Sequence, residues 1–373
     1  LNGSVYNHFI EMDKHRAEAK YITNSIDQAL IGAQELSDIS SAIDVNPNTT
    51  AMTIATIATE SAYRRMGIRG RSPSMEGFGS AVLEVWRAIK KALAKLWDTI
   101  SNFFMGLFGK NKANENKAIE QKQKANKAEW DEVKGMTMTA KASYANILKY
   151  RGSFHHRGVK YGLAANQDLI TTLRHFMGGV LKYVDDLKNV KDITEESDMQ
   201  YDINSHFYKL AGSRYNGGDG QSTFENKAFY YDDVLFAIKL KPDLPEYLDD
   251  RDKDNLEMEL VPKSVIISII DSYSSVGKEL LKFLELKQQL QQHINDLANV
   301  AENYAKRGTQ EHKFNDRIYR HAIRLLMQVM SENFMHIPAF IEKTNTACAE
   351  YVEHVLSVLT EKKITDFTPS ENL

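Results

Sequence analysis

Apolar side chains recur every three or four residues between positions 80 and 112 of this 373-residue chain. At about 3.6 residues per turn, this spacing gathers them on one stripe of an α-helix. The pattern predicts a long amphipathic helix over 80–108, with two of the protein's three tryptophans on its apolar stripe. The stripe comprises Val82, Val85, Trp86, Ile89, Leu93, Leu96, Trp97, Ile100, Phe103, Phe104 and Leu107.

Basic side chains lie mostly on the other faces of this predicted helix, which leaves two interpretations open. The stripe is either one wall of a packed core or a face that meets a membrane interface or the groove of a partner. In the second case the contact face comprises Trp86, Ile89, Leu93, Trp97, Ile100, Phe103 and Phe104. The accompanying basic contact residues are Arg87, Lys90, Lys91 and Lys95.

Helical periodicity also precedes this segment. Apolar or small residues predict one helix over 5–37, and Thr49 or Thr50 can cap a second helix over 51–66. Three glycines and Pro73 fall within residues 67–77, and Gly79 follows, so we expect a linker over 67–79. The Lys-, Asn- and Gln-rich stretch 111–123 has almost no large apolar residue, which predicts a solvated helix or hinge rather than core.

The second half of the chain predicts a bundle interrupted by strands. Residues 163–187 have helical spacing, whereas residues 228–240 and 256–260 have strand-like composition within an insertion at 201–262. A seam from Val276 to Tyr304 alternates steps of four and three, as in a coiled coil or bundle helix that Gly308 ends. Two further helices are expected at about 313–335 and 339–362, separated at Pro338.

The predicted fold is therefore mainly α, a helical bundle with a small β-containing insertion. We divide it into an N-terminal helical segment that is a candidate propeptide (1–76), a basic helical region (77–200), a small α+β insertion (201–262) and a C-terminal helical bundle (263–373). Charge follows this division: residues 77–190 carry 19 basic and 10 acidic side chains, whereas the whole chain has a net charge of −3. Such a basic middle favours contact with phosphate, with anionic lipid or with the acidic C-terminal half.

No catalytic, cofactor or metal motif emerges from the sequence. A Gly-x-x-x-x-Gly-Lys-Ser/Thr loop, a His-Glu-x-x-His pair and a Gly-x-Ser-x-Gly turn do not occur. The single cysteine, Cys348, excludes an internal disulfide. Asp250, Asp252 and Asp254 begin like a calcium loop, but Val261 stands where the bidentate glutamate is needed. We therefore expect no enzyme activity, no cofactor and no metal site.

The first 110 residues resemble internal head or virion structural proteins of large tailed bacteriophages. The features that carry the resemblance are two helices before a break, the segment Ser74-Met75-Glu76-Gly77-Phe78-Gly79, and the basic helix AIKKALAKLWDTISNFFMGLFGK. The resemblance implies that a head protease cuts after a glutamate in a Ser-x-Glu context, here between Glu76 and Gly77. It also implies that the mature piece is packaged with DNA and can be ejected.

The expected function is thus a non-enzymatic virion component in the head interior, present in the host cytoplasm during assembly. Its expected partners are other virion proteins, packaged DNA bound without sequence specificity, a membrane surface, or a second copy of the chain. Two alternatives stay open: a membrane-active helical protein, such as a pore former or peripheral factor, and a helical oligomerisation scaffold that uses the 276–304 seam.

Overall fold

The chain is mainly helical in the computed structural model, with two small antiparallel sheets, which confirms the predicted fold class. The structure describes residues 2–45, 78–128, 130, 135–187, 220–232, 237–242, 256–307, 323–327 and 329–366, with single positions at 57, 60, 61 and 64. The helices are α1 (Asn2–Val45), α2 (Phe78–Lys127), α3 (Ala142–Ala145), α4 (His156–Leu187), α5 (Lys263–Leu284), α6 (Lys287–Arg307) and α7 (Ile337–Asp366).

The predicted amphipathic segment forms the first part of α2, the central helix of the bundle. α2 packs against α1, α5, α6 and α7. Its buried positions alternate in steps of three and four from Trp86 to Leu107, which is the spacing that keeps one seam of a helix facing its neighbours. Burying a large apolar side chain of this kind contributes about 1.5–3 kcal/mol relative to leaving it in water.

The strands form two separate sheets. β2 (Gln221–Ser222), β3 (Lys227–Asp232) and β4 (Ala237–Pro242) make an antiparallel sheet in that order, which confirms strands within 228–240 and pairs β3 with β4 as a hairpin. β1 (Thr137–Thr139) pairs with β5 (Glu257–Glu259), with Met138 opposite Met258. The strand predicted at 256–260 therefore does not extend the hairpin, because its partner comes from the region before α4.

Two helix predictions need correction at their breaks. The seam from Val276 to Tyr304 is divided between α5 and α6 by a turn at Glu285–Leu286, and α6 ends at Arg307, beside Gly308 as predicted. The break predicted at Pro338 is instead a change of helix type, because a π-helix (Met330–His336) runs directly into α7. Pro338 is the second residue of α7 and has no N–H to donate to the preceding turn, which fits a change of hydrogen-bond pattern at this junction.

The seam of α5 and α6 packs inside the chain. Val276, Leu280, Phe283, Leu290 and Ile294 are all buried. A single cluster of buried residues, moreover, draws members from all four predicted segments, including Ile26 on α1 and Phe229 on β3. The four-part division stays a prediction. The acidic run at Asp250–Asp254 and most of the helix predicted over 51–66 lie outside the described residues.

Candidate functional site

The apolar face predicted on α2 is brought together by the structure and is buried. Trp97, at 9% exposure, is the most accessible of its seven residues. The stripe is therefore one wall of the packed core. A membrane or a partner could contact this face only if a neighbouring element moved away. The seven residues are Trp86, Ile89, Leu93, Trp97, Ile100, Phe103 and Phe104.

Different elements cover the two edges of this stripe. On one edge, Lys95 Nζ lies 3.4 Å from Glu18 Oε1 of α1. Thr99 and Phe103 follow Lys95 at intervals of four residues, so this row is the edge nearest α1. On the other edge, Phe104 and Phe108 line a cavity of about 400 Å³ together with residues of α5 and α6.

The four predicted basic contact residues all lie on the exposed surface of α2. Arg87, Lys91 and Lys95 stand at i, i+4 and i+8 and therefore form one row. Lys95 forms the ion pair with Glu18 described above. The surface of α2 next to the α1 edge is therefore cationic.

The predicted cleavage residues Glu76 and Gly77 lie outside the described residues, and α2 begins at Phe78. The predicted scissile bond thus stands between α1 and α2 in the chain. A cut there would divide α1 from every other described helix.

Residues 111–123 were predicted to be a solvated helix or hinge rather than core. The helix is confirmed, but the prediction that it stays out of the core is wrong. α2 continues without a break to Lys127, and its buried side chains here are Asn111, Asn114, Ala118, Gln121 and Ala125. These positions continue the alternation of three- and four-residue steps seen in the apolar stripe, except that two steps of four follow each other at Leu107. That continued periodicity was the available signal, and it was missed because amides and alanines replace large apolar residues. We call Asn111, Asn114 and Gln121 the polar seam.

Each member of the polar seam makes a buried hydrogen bond to a neighbouring helix. Asn111 Nδ2 donates to the Gly277 carbonyl oxygen at 2.7 Å, and Asn114 Nδ2 donates to Thr346 Oγ1 at 2.9 Å. A Cβ atom at Gly277 would stand 3.1 Å from Asn111 Oδ1, so glycine permits the close approach of α5 to α2.

Gln121 is the centre of the polar seam because it bonds to three other residues. Its Nε2 donates to the Ala349 carbonyl oxygen at 2.8 Å and to Glu353 Oε2 at 3.1 Å. Its Oε1 accepts from the Tyr273 hydroxyl at 2.7 Å. Burial raises the pKa of Tyr273, so the hydroxyl keeps its proton and acts as a donor.

Glu353 links this buried amide to the surface. Burial alone would raise the pKa of Glu353, but hydrogen bonds from Lys124 and Gln121, with the positive charges of Lys124 and Lys117, lower it below its usual range. Lys124 Nζ lies 2.8 Å from Glu353 Oε1. The carboxylate therefore stays ionised and joins α7 to α2.

A second buried cluster fixes the three-stranded sheet to the bundle. Asn166 Nδ2 donates to Thr344 Oγ1 at 2.8 Å and Asn166 Oδ1 accepts from Thr223 Oγ1 at 2.9 Å, so one amide joins α4, α7 and the sheet. Glu225 pairs with Lys343 and Lys227. Burial opposes ionisation of Glu225, but these two lysines lower its pKa overall.

The basic middle and the acidic C-terminal half meet within the fold. Lys122 pairs with Asp271 at 2.7 Å and Arg174 with Glu279 at 3.0 Å. Part of the segregated charge is therefore neutralised between α2, α4 and α5. This is the intramolecular alternative that the charge distribution left open.

The chemistry of these clusters is that of helix attachment. Cys348 is fully buried, and burial raises the pKa of its thiol, which makes it a poor nucleophile. Among the described residues, no group of three or more His, Cys, Asp or Glu side chains could hold a metal ion. Within the same residues, no helix has the length and apolar character to cross a bilayer.

The described part of the chain is thus a mainly helical core whose buried amides join its helices. The family model described as phiKZ-like phage internal head proteins matches residues 28–354, and the chain belongs to that family. The resemblance found in the sequence is thereby confirmed: the protein is a structural component of the phage virion and lies inside the head. No curated protein and no solved structure matches the chain.

Proposed function

We propose that this internal head protein is non-enzymatic, that it is matured by cleavage between Glu76 and Gly77, and that it leaves the head when the phage ejects its contents. Membership of the internal head family carries the proposal. The buried clusters support it, because Gln121 and Asn166 use their amide groups to join helices. Synthesis and assembly would take place in the host cytoplasm.

The exposed basic row on α2 is the surface proposed to meet packaged DNA or acidic virion proteins. Arg87, Lys91 and Lys95 follow one another along the helix on its solvent side. Phosphate contacts made by such side chains are independent of base sequence and weaken as salt rises. The proposed DNA contact is therefore non-specific.

Mass spectrometry of purified particles tests the proposal directly. The expected result is a protein that is present in virions and whose first residue is Gly77. Absence from particles would refute packaging of the chain, and an N-terminus before residue 45 would refute the maturation cut.

Titration of DNA at several salt concentrations tests the basic row. Lys91→Glu should weaken binding and reduce the slope of log affinity against log salt by about 1. Lys112→Glu, an exposed charge reversal further along α2, is the matched control. Equal effects of the two reversals would contradict a role for this row.

A further inference from the structure

We propose that α1 is a removable cover, and that its departure after cleavage uncovers an edge of the α2 stripe which then binds an anionic lipid surface. This inference rests on the maturation cut proposed above. In this proposal the N-terminal segment masks α2, and the partner of the mature chain is an anionic lipid bilayer.

α1 packs on α2 through an apolar seam on each helix. Ala19, Ile22, Ile26 and Ala29 are buried and are spaced by three and four residues, the same alternation that α2 shows from Trp86 to Leu107. Two helices with this spacing pack side by side. α1 therefore covers part of a surface that would otherwise be an apolar strip in water.

The covered edge is the one that carries Lys95, Thr99 and Phe103. The pair between Lys95 and Glu18 places α1 beside this row, and helical geometry puts the buried residues Leu96 and Phe103 next to it. The opposite edge of the stripe faces the cavity between α2, α5 and α6. Loss of α1 thus opens one edge and leaves the other covered.

Once the chain is cut, α1 is held by non-covalent contacts alone. Its ion pairs, Glu18 with Lys95 at 3.4 Å and Asp27 with Arg324 at 2.7 Å, join partly exposed side chains, and such pairs contribute little. While the chain is intact, the connection keeps α1 at a high effective concentration beside α2. A cut after Glu76 removes that advantage and makes the contact bimolecular.

The uncovered edge has the composition of an interfacial helix. Leu96 and Phe103 would be opened to solvent, and Lys91 and Lys95 lie on the solvent side beside them. Lys95 would also lose its acidic partner Glu18. An apolar strip with a cationic border fits the surface of an anionic bilayer, whereas phosphates of DNA would satisfy only the lysines.

The test uses the full chain with a site-specific protease sequence inserted between residues 67 and 77. Before cutting, the protein should not float with vesicles of phosphatidylglycerol and phosphatidylcholine. After cutting, size-exclusion chromatography should separate the fragment that contains α1. The remaining chain should then float with these vesicles at least about tenfold more than the uncut protein does, and not with phosphatidylcholine alone.

Two variants separate masking from other effects of the cut. In Glu18→Cys/Lys95→Cys, a flexible bis-maleimide should hold α1 in place, and the cut protein should not float. The same cut variant without the reagent should float, which shows that loss of Lys95 is not the cause. Cys348 is buried, so the reagent selects the introduced thiols. Lys91→Glu should lower binding of the cut chain to anionic vesicles about tenfold, whereas Lys112→Glu should leave it within about twofold.

Several outcomes would overturn the inference. They are retention of α1 by the cut protein, release without vesicle binding, equal binding to neutral vesicles, and self-association of the released chain instead of flotation. Because the inserted site is cut by an added protease, these results do not depend on whether the phage makes the cut at Glu76. The N-terminus of the protein from particles decides that separate question.

Discussion

The two parts of α2 use the same helical spacing to build different interfaces. From Trp86 to Leu107 the buried positions are almost all apolar, whereas from Asn111 to Ala125 they are amides and alanines. Apolar contact is not directional, so another apolar surface can replace it. A buried amide, by contrast, is stable only opposite its own partners. The second part of α2 thus fixes the register of the bundle, whereas the first part contributes apolar contact that is not directional.

The largest effect should follow truncation of the apolar part. Phe103→Ala removes a buried ring and should lower the free energy of unfolding by about 3–5 kcal/mol, measured by urea denaturation. Phe108→Ala on the same helix is the matched control. Its ring is 49% exposed, so its truncation should cost about 1 kcal/mol or less. Equal losses would show that Phe103 is not part of a packed wall.

Loss of the central amide of the polar seam should have the next largest effect. Gln121→Ala leaves the Tyr273 hydroxyl and the Ala349 carbonyl oxygen without their partner, which should cost about 2–3 kcal/mol. Gln123→Ala, an exposed glutamine on the same helix, should change stability by less than about 0.5 kcal/mol. The same urea denaturation measures both. If the two substitutions cost the same, Gln121 does not join the helices.

A double-mutant cycle can measure how much of this loss comes from the hydrogen bond between Gln121 and Tyr273. Combining Gln121→Ala with Tyr273→Phe should show a coupling of about 1 kcal/mol, because both changes remove the same buried hydrogen bond. Additive losses would indicate that Gln121 acts through Ala349 and Glu353 alone.

The contrast between the two parts explains how much of the molecule could be predicted. Large apolar residues from Trp86 to Leu107 show which side of α2 is buried, because their transfer from water is favourable whatever covers them. Periodicity also places Gln121 on the buried side, but its hydrogen-bond partners, Tyr273 and Ala349, lie 152 and 228 residues further along the chain. Local pattern carries no information about such partners. The same reason applies to the pairing of β1 with β5.

The same limit applies to the candidate site, where the residues of α2 could be predicted but their contacts with distant elements could not. The sequence identified the stripe and the basic row, but it could not show that Glu18 of α1 pairs with Lys95 at one edge of the stripe. The proposed masking by α1 depends on that contact between distant parts of the chain, which local pattern does not reveal. Cleavage between Glu76 and Gly77 stays a prediction, since both residues lie outside the described part of the chain.

Acid should weaken the polar part of α2 through Glu353. Its pKa in the fold is below the ordinary value of 4.5, so the folded state binds fewer protons than the unfolded state near that pH. The stability that Glu353 contributes is therefore complete above pH 4.5 and is lost as the pH falls through the lowered pKa. Urea midpoints measured across this range should fall less steeply for Glu353→Gln. Glu120→Gln, an exposed carboxylate on α2, is the control, and identical slopes for Glu353→Gln and the unmodified protein would contradict the assignment.

The smallest effect should come from the ion pair between α1 and α2. The side chains of Lys95 and Glu18 are 63% and 45% exposed, so water and salt screen their attraction. A double-mutant cycle with Lys95→Ala and Glu18→Ala should give a coupling free energy below about 0.5 kcal/mol. By contrast, Ile26→Ala should lower the free energy of unfolding by about 2–4 kcal/mol, because that side chain is fully buried. If the ion pair instead contributed more than the isoleucine, α1 would be held by charge rather than by apolar contact. The cover would then be released by salt without any cut in the chain.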